Sequence, residues 1–250
     1  MLRDPLDIFV RSGYSLLLGA LGAATLAVDR QSAQEGLAIY RAAASPQYFR
    51  DLRKASGQRA EGGVYTTELT IWLMMWQRLD EKGTLSTAVQ QVIEGRPRAL
   101  LPRHKRLVEK TVSSNTGGYS QARGRLDQKV AKEVAGRIFD YLMADAREAL
   151  PGLGRQAFLL DGSSLDLPAT AELLKAYPPA QNQYGTTHWP VVRIVVAHDL
   201  VSGIAMPPVW GPMYGDQAVS EQELAAQGIG QLPPGSVVVA DRNFGVFSTV

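Results

Sequence analysis

The sequence predicts a protein of α plus α/β class, with a helical front part followed by a sheet domain whose elements run β, β, β, α, β. Three observations lead there. Up to residue 150 apolar residues recur at helical spacing, as in Leu69, Trp72, Leu73, Trp76 and Leu79. From Gln156 onward they come in short β-branched runs separated by turn residues. Between the two textures lie Pro151, Gly152 and Gly154, which break helices and mark a boundary. The expected organisation is residues 1–63, a variable N-terminal segment; residues 64–150, a helical region; and residues 151–250, the sheet domain.

The 250 residues are 45% hydrophobic and 20% charged, which is enough apolar material for an ordinary core. There is no cysteine, so disulfides, thiolate zinc sites and cysteine nucleophiles are excluded. His104, His188 and His198 lack the spacing of a histidine-based zinc site, and no Walker-type phosphate loop is present. Charge is uneven. Residues 1–150 hold 22 Lys and Arg against 16 Asp and Glu, and residues 151–250 hold 4 against 8. A basic front and an acidic back fit a nucleic-acid-binding module joined to a carboxylate site, although chance alone produces an imbalance of this size.

Tyr14–Val28 is apolar and rich in Gly and Ala, with Arg3 and Arg11 before it. A signal peptide and a packed N-terminal helix are the two readings; Asp4 and Asp7 count against the first. The stretch is short for a membrane span. Ala33–Ala44 reads as a helix, and the polar, Gly-containing residues 50–63 as a loop. Thr66–Leu79 is a helix capped by Thr66 or Thr67, with Glu68 at the positive end of its dipole. Its two tryptophans read as core. Leu85–Glu94 is a second helix, entered at Gly83-Thr84 and closed by Gly95 and Pro97, and the two form a helical hairpin.

Residues 96–132 carry ten basic residues, among them Lys105, Arg106, Arg123, Arg125 and Lys129, against Glu109 and Asp127. Such a run either tracks a phosphate backbone or coats ordinary surface helices. Within it, Asn115-Thr116-Gly117-Gly118-Tyr119 leads into a helix expected to carry Arg123 and Arg125 in its first turns, a natural phosphate contact. Asp127 then caps a long helix with Val130, Val134, Ile138 and Leu142 on one face, ending near Arg147.

In the sheet domain the expected strands are Ala157–Leu160, Val191–Val196, Ile204–Val209 and Val237–Ala240. Asp161–Tyr184 is read as a loop, Asp199 to Gly203 as a hairpin turn, and Ser220–Gln227 as a helix. The helical crossover returns the last strand parallel to its neighbour. Two apolar runs end in a carboxylate: Leu160 is followed by Asp161-Gly162, and Ala240 by Asp241-Arg242. The run Val237–Ala240 reads as a fully buried strand. If the two strands are parallel neighbours, the aspartates face each other across one strand spacing of roughly 5 Å. Carboxylates that close share a proton or a cation. Oxygen-only ligands favour Mg²⁺ or Mn²⁺, which suits phosphoryl transfer. Taken singly, Asp161-Gly162 is also a turn dipeptide, and Asp241 also a helix cap or half of an ion pair.

Four stretches in order resemble a known family, the IS4 class of bacterial insertion-sequence transposases. They are Tyr65-Thr66-Thr67-Glu68 with Leu73 to Gln77 and Leu79; Asn115-Thr116-Gly117-Gly118-Tyr119 with Ala122-Arg123 and Arg125-Leu126; Phe158-Leu159-Leu160-Asp161-Gly162-Ser163-Ser164; and Val239-Ala240-Asp241-Arg242-Asn243-Phe244. The likeness covers roughly residues 64–247. It implies a helical DNA-binding region and a DDE catalytic domain of RNase H-like fold. It also implies cut-and-paste transposition, in which two Mg²⁺ or Mn²⁺ ions held by two Asp and one Glu activate water and then a DNA 3′-hydroxyl. Asp161 and Asp241 take the two Asp roles, as catalytic and metal-binding residues. Asn115, Arg123, Arg125, Lys105, Arg106 and Lys129 are the expected DNA contacts. The implied partners are double-stranded DNA, at transposon ends and target, and a second copy in a synaptic complex. No membrane is involved, and the implied location is bacterial cytoplasm at the nucleoid.

The sequence departs from the family's pattern at the third acid. That Glu lies in a Tyr-x-x-Arg-x-x-x-Glu-x-x-x-x-x-x-Lys motif beyond the second Asp, whereas the nine residues after Asp241 contain no acid. Glu221 and Glu223 do not match the motif. The expectation is a C-terminally truncated chain holding the first half of the catalytic domain, unable to complete strand transfer alone. Two other functions are consistent with the same residues: a non-catalytic DNA-binding product that inhibits a full-length partner, and an unrelated metal-dependent α/β phosphoryl-transfer enzyme.

Overall fold

The computed structural model describes residues 30–55, 62–80, 83–149, 156–183 and 185–244. Tyr14–Val28 and the boundary residues Pro151, Gly152 and Gly154 lie outside them. The described residues form nine α-helices and five strands of a mixed sheet, in two compact units, residues 30–142 and residues 143–244.

The helical unit is built around α3 (Thr67–Leu79), ten of whose residues are buried. A helix apolar on all sides belongs in a core. Thr66 caps it, its hydroxyl accepting from the Leu69 N–H at 3.3 Å. Trp72 and Trp76 are core side chains, 2% and 8% exposed. From α1 (Arg30–Ala43), the buried Tyr40 ring lies 5.7 Å from that of Trp72 and its hydroxyl donates to the Glu68 carbonyl at 2.8 Å.

The loop expected over residues 50–63 begins instead as helix, because α2 spans Pro46–Ala55. Ser45 Oγ accepts from the Tyr48 N–H at 3.3 Å, and Pro46 supplies a preset first-turn φ. The buried Phe49, 6.2 Å from the Tyr40 ring, anchors a helix whose other residues are largely polar. Next comes α4 (Leu85–Ile93), entered through a Thr84–Thr87 capping box and closed at Gly95, whose φ is +75°. Three helices follow: α5 (Lys105–Val108), α6 (Gly117–Gly124) and α7 (Gln128–Ala149). Asp127 caps α7, accepting from the Lys129 N–H at 2.8 Å, and Val134 and Ile138 bury its inner face.

In the sheet unit, β1 is Ala157–Asp166, longer than the expected strand, and the expected loop after Leu160 is corrected accordingly. Each residue from Phe158 to Asp166 pairs antiparallel with β3 (Gly185–Asp199). Tertiary pairing overrides the turn chemistry of Gly162-Ser163-Ser164. The connection from β1 to β3 holds a further helix, α8 (Ala171–Ala176), capped by Thr170, and a strand, β2 (Pro179–Asn182). The strand expected at 204–209 is displaced to β4 (Val209–Pro212), with one bridge from Ala205 to His198. Pro207-Pro208 carry no N–H to donate to a ladder. The turn from Asp199 to Gly203 forms as expected, with Asp199 Oδ2 accepting from Ser202 N–H and Oγ, both at 2.7 Å.

The helix α9 (Glu221–Ile229) has a Ser220–Glu223 capping box and leads to β5 (Val237–Val239), which pairs parallel with β1. The strands lie in the order β2, β3, β1, β5, with β4 also on β3. One sheet face buries Val192, Ile194 and Val196 with Leu167 and Leu173. The other buries Phe158 and Leu160, with Gly228 of α9 close to the Leu160 side chain. The reading of 237–240 as a fully buried strand is corrected. Val237 and Val239 are exposed, as is Leu159 on the same face of β1, because no described element covers that face at this edge.

Candidate functional site

The pairing of β1 with β5 matches Ala157 to Val237, Phe158 to Val238 and Leu159 to Val239. Counted two residues past the last matched pair, the same offset arrives at Asp161 on β1 and at Asp241, which follows the end of β5. The two aspartates therefore each follow the last matched pair by two residues, at one end of the β1–β5 pairing. Asp161 is not where its strand ends, as the sequence suggested; it is the fifth residue of β1 and also pairs with Val196 of β3. It is β5 that stops short, at Val239.

Both carboxylates are exposed. Asp161 Oδ1 accepts from the Gly162 N–H at 2.9 Å. Asp241 Oδ1 accepts from the Asn243 N–H at 2.8 Å and Oδ2 from Asn243 Nδ2 at 3.3 Å. Asp241 thus caps the 3₁₀ turn Arg242–Phe244, held in place by the buried Phe244. Each carboxylate keeps unused lone pairs toward solvent.

The sequence reading sets Glu221 aside because it does not match the third-acid motif. As the first residue of α9 it leans over the backbone beside Asp161, and a Cβ at Gly162 would overlap Glu221 Oε1. Gln222 Nε2 donates to the Asn243 carbonyl at 3.2 Å, so the first turn of α9 stands at the same end of the sheet as Asp241. The signal was a glycine directly after a strand aspartate, where a side chain would have displaced the Glu. Glu223 is committed elsewhere. It accepts from the Ser220 N–H at 2.6 Å and from its hydroxyl at 2.9 Å, and these bonds hold its carboxyl below the usual value. Among the described residues, no group of three or more His, Asp or Glu side chains is placed to hold a metal ion. The oxygen-only donor set still fits Mg²⁺ or Mn²⁺, which are commonly held by one or two carboxylates, with water and substrate phosphates completing the shell.

The six expected DNA contacts all lie in the helical unit. Arg123 and Arg125 are corrected in position: Arg123 is in the last turn of α6 and Arg125 is its C-cap. The helix starts at Gly117, once Asn115 Oδ1 has accepted the Gly117 N–H at 2.7 Å, and so its first turns hold Gly118, Tyr119 and Ser120 instead. Tyr119 is buried, donating to Gln77 Oε1 at 2.8 Å, and the Arg123 guanidinium lies 5.6 Å from its ring centre. Lys105 and Arg106 are exposed on α5, and Lys129 on the first turn of α7.

Of the six, Arg106, Asn115 and Arg125 line one pocket of about 390 Å³, together with His104, Ser113 and Tyr65. Lys105, Arg123 and Lys129 stand outside it. His104 was missed as a participant. It caps α5, with Nδ1 accepting from the Arg106 N–H at 3.2 Å. Tyr65 packs 5.6 Å from the Tyr119 ring, and burial pushes its hydroxyl above the usual value.

No family model, curated protein or solved structure matches this chain. No helix among the described residues is long and apolar enough to cross a membrane.

Proposed function

We propose that the chain is a DNA-processing protein of the DDE transposase class, with an RNase H-like sheet unit bearing Asp161 and Asp241 and a basic helical unit that contacts DNA. One observation carries the reading. The strands β1 and β5 are parallel neighbours, and Asp161 and Asp241 each lie two residues past their last matched pair, Leu159 and Val239. The antiparallel arrangement of β1, β3 and β4, with β5 returned beside β1 after α9, supports the same reading.

The residues divide the work. The Gly162 N–H and Asn243 orient the two carboxylates; Asp161 Oδ2 and further lone pairs on the Asp241 oxygens remain open. A divalent cation bound there supplies Lewis acidity toward a phosphodiester. Arg106, Arg125 and their exposed basic neighbours supply sequence-independent attraction for the DNA backbone. The sheet unit itself carries twice as many acidic as basic residues, so strong polyanion binding belongs to the helical unit.

The test is nicking of supercoiled plasmid by the full chain with Mg²⁺ or Mn²⁺, alongside duplex binding by fluorescence anisotropy. The proposal requires nicking that disappears in both Asp161→Asn and Asp241→Asn while duplex binding persists. Duplex binding without any nicking leaves a non-catalytic DNA-binding protein; absence of both rejects the reading.

A further inference from the structure

We propose that the pocket between α5 and α6 is a phosphate-binding site that takes the phosphate of a nucleotide, free or within DNA. The identification of DNA as the source rests on the function proposed above; the phosphate chemistry rests on the pocket alone.

The pocket is a stripe along one helix face closed by a second element. Gly118, Gln121 and Arg125 recur at three- and four-residue spacing on α6, which places them on one side of the helix. The buried stripe Tyr119 and Ala122 faces the core instead. Opposite stand His104 and Arg106, the N-cap and second residue of α5. The wall between them includes Gly62, Gly63 and Tyr65.

The polar groups of this wall are arranged as donors. Asn115 has committed Oδ1 to the Gly117 N–H, which leaves its amide NH₂. His104 has committed Nδ1 as acceptor to the Arg106 N–H, so the neutral ring carries its proton on Nε2. Ser113 Oγ accepts from the Asn115 N–H, which leaves its O–H to donate. Arg106 and Arg125 bring two guanidinium forks, donors only, suited to bidentate contact with phosphate oxygens. No Asp or Glu lines the pocket among the described residues. A site with two fixed positive charges and several donors, and no carboxylate, is complementary to an oxyanion.

Size and the apolar wall narrow the oxyanion to a nucleotide. The pocket of about 390 Å³ falls at the small end of the range for small-molecule sites, roughly 300–1,000 Å³. Val64, Val112 and the Tyr65 ring offer an apolar surface for a sugar or base next to the charged end. The Tyr65 hydroxyl is buried with no hydrogen-bond partner among the described residues.

The experiment is calorimetric titration of the full chain with inorganic phosphate, a deoxynucleoside 5′-monophosphate and a 20-base-pair duplex. Three variants are compared: Arg106→Ala/Arg125→Ala, Asn115→Asp, and Arg41→Ala/Lys54→Ala as a control for exposed charge outside the pocket. Asn115→Asp keeps the acceptor for the Gly117 N–H, and so keeps the turn, while replacing the NH₂ donor by a negative charge. The monophosphate is expected to bind and to lose tenfold or more in affinity in each of the first two variants, with less than a threefold change in the third. Monophosphate binding that is absent, unchanged by the pocket variants, or weakened equally by the control overturns the site. If the duplex binds and neither it nor the monophosphate responds to the pocket variants, the pocket inference falls while the DNA reading stands; if the monophosphate alone responds, the pocket takes free nucleotide and the DNA contacts lie elsewhere. If the monophosphate binds as expected and the duplex does not, the pocket stands and the DNA reading falls.

Discussion

Asp161 and Asp241 each lie two residues beyond Leu159 and Val239, the last matched pair of two parallel neighbouring strands. This places two acidic side chains at one end of a pairing in which nothing else is charged. Replacing either by Asn is expected to weaken Mn²⁺ binding at least tenfold in calorimetry. Asp241→Asn is a clean variant, because an Asn oxygen can still accept from the Asn243 N–H and keep the cap. Its thermal midpoint is expected to stay close to that of the unaltered chain. Unchanged Mn²⁺ affinity in both variants contradicts the paired site.

The buried bond from Tyr119 to Gln77 ties α6 to α3, and Gln77 Nε2 in turn donates to the Gly83 carbonyl at 3.1 Å. Tyr119→Phe leaves Gln77 Oε1 buried without its donor. The cost expected in urea denaturation is about 1–3 kcal/mol. A midpoint indistinguishable from the parent's would show that the bond carries no net stability.

Two glycines separate a rigid obstacle from a yielding one. A Cβ at Gly83 would overlap the backbone carbonyl of Gln77, whereas one at Gly162 meets the far end of the Glu221 side chain. Gly83→Ala is expected to destabilise by about 1–3 kcal/mol, as overpacking does. Gly162→Ala is expected to cost less, because Glu221 can turn away. Equal losses in denaturant melts, or the reverse order, contradict this geometry.

Glu223 predicts an acid-sensitive helix start. Hydrogen bonds from the Ser220 N–H and hydroxyl lower its carboxyl from the ordinary value of 4.5. A depressed folded-state value means that the contribution is present above 4.5 and is lost as pH falls through the folded value. Glu223→Gln is expected to flatten the dependence of thermal stability on pH below that ordinary value. An identical pH profile in both proteins contradicts the assignment.

The features legible in the sequence are the locally encoded ones. Thr66 and Thr84 start their helices as expected because a cap needs only three or four adjacent residues, and Ser220, read as the first helical residue, is the cap of α9. A parallel last strand followed from the helix before it, whereas its place beside Ala157–Leu160 entered only as a condition, which the pairing of β5 with β1 meets. What was missed depends on distant partners. Gly162-Ser163-Ser164 has the composition of a turn, and only the long β3 makes it strand. The helix α2 hides behind a polar surface with Phe49 as its single buried anchor. Arg106, Asn115 and Arg125 are scattered in sequence, and the folding of α5 and α6 around Tyr65 gathers them.

The central claim, that this is a DNA-directed protein with separate binding and metal functions, is tested most directly by duplex affinity measured across salt concentrations. The parent and Asp161→Asn are expected to show the same linear fall of log K with log salt, and Arg125→Ala a slope shallower by about one. No duplex binding at low salt, or binding abolished by Asp161→Asn, would contradict it.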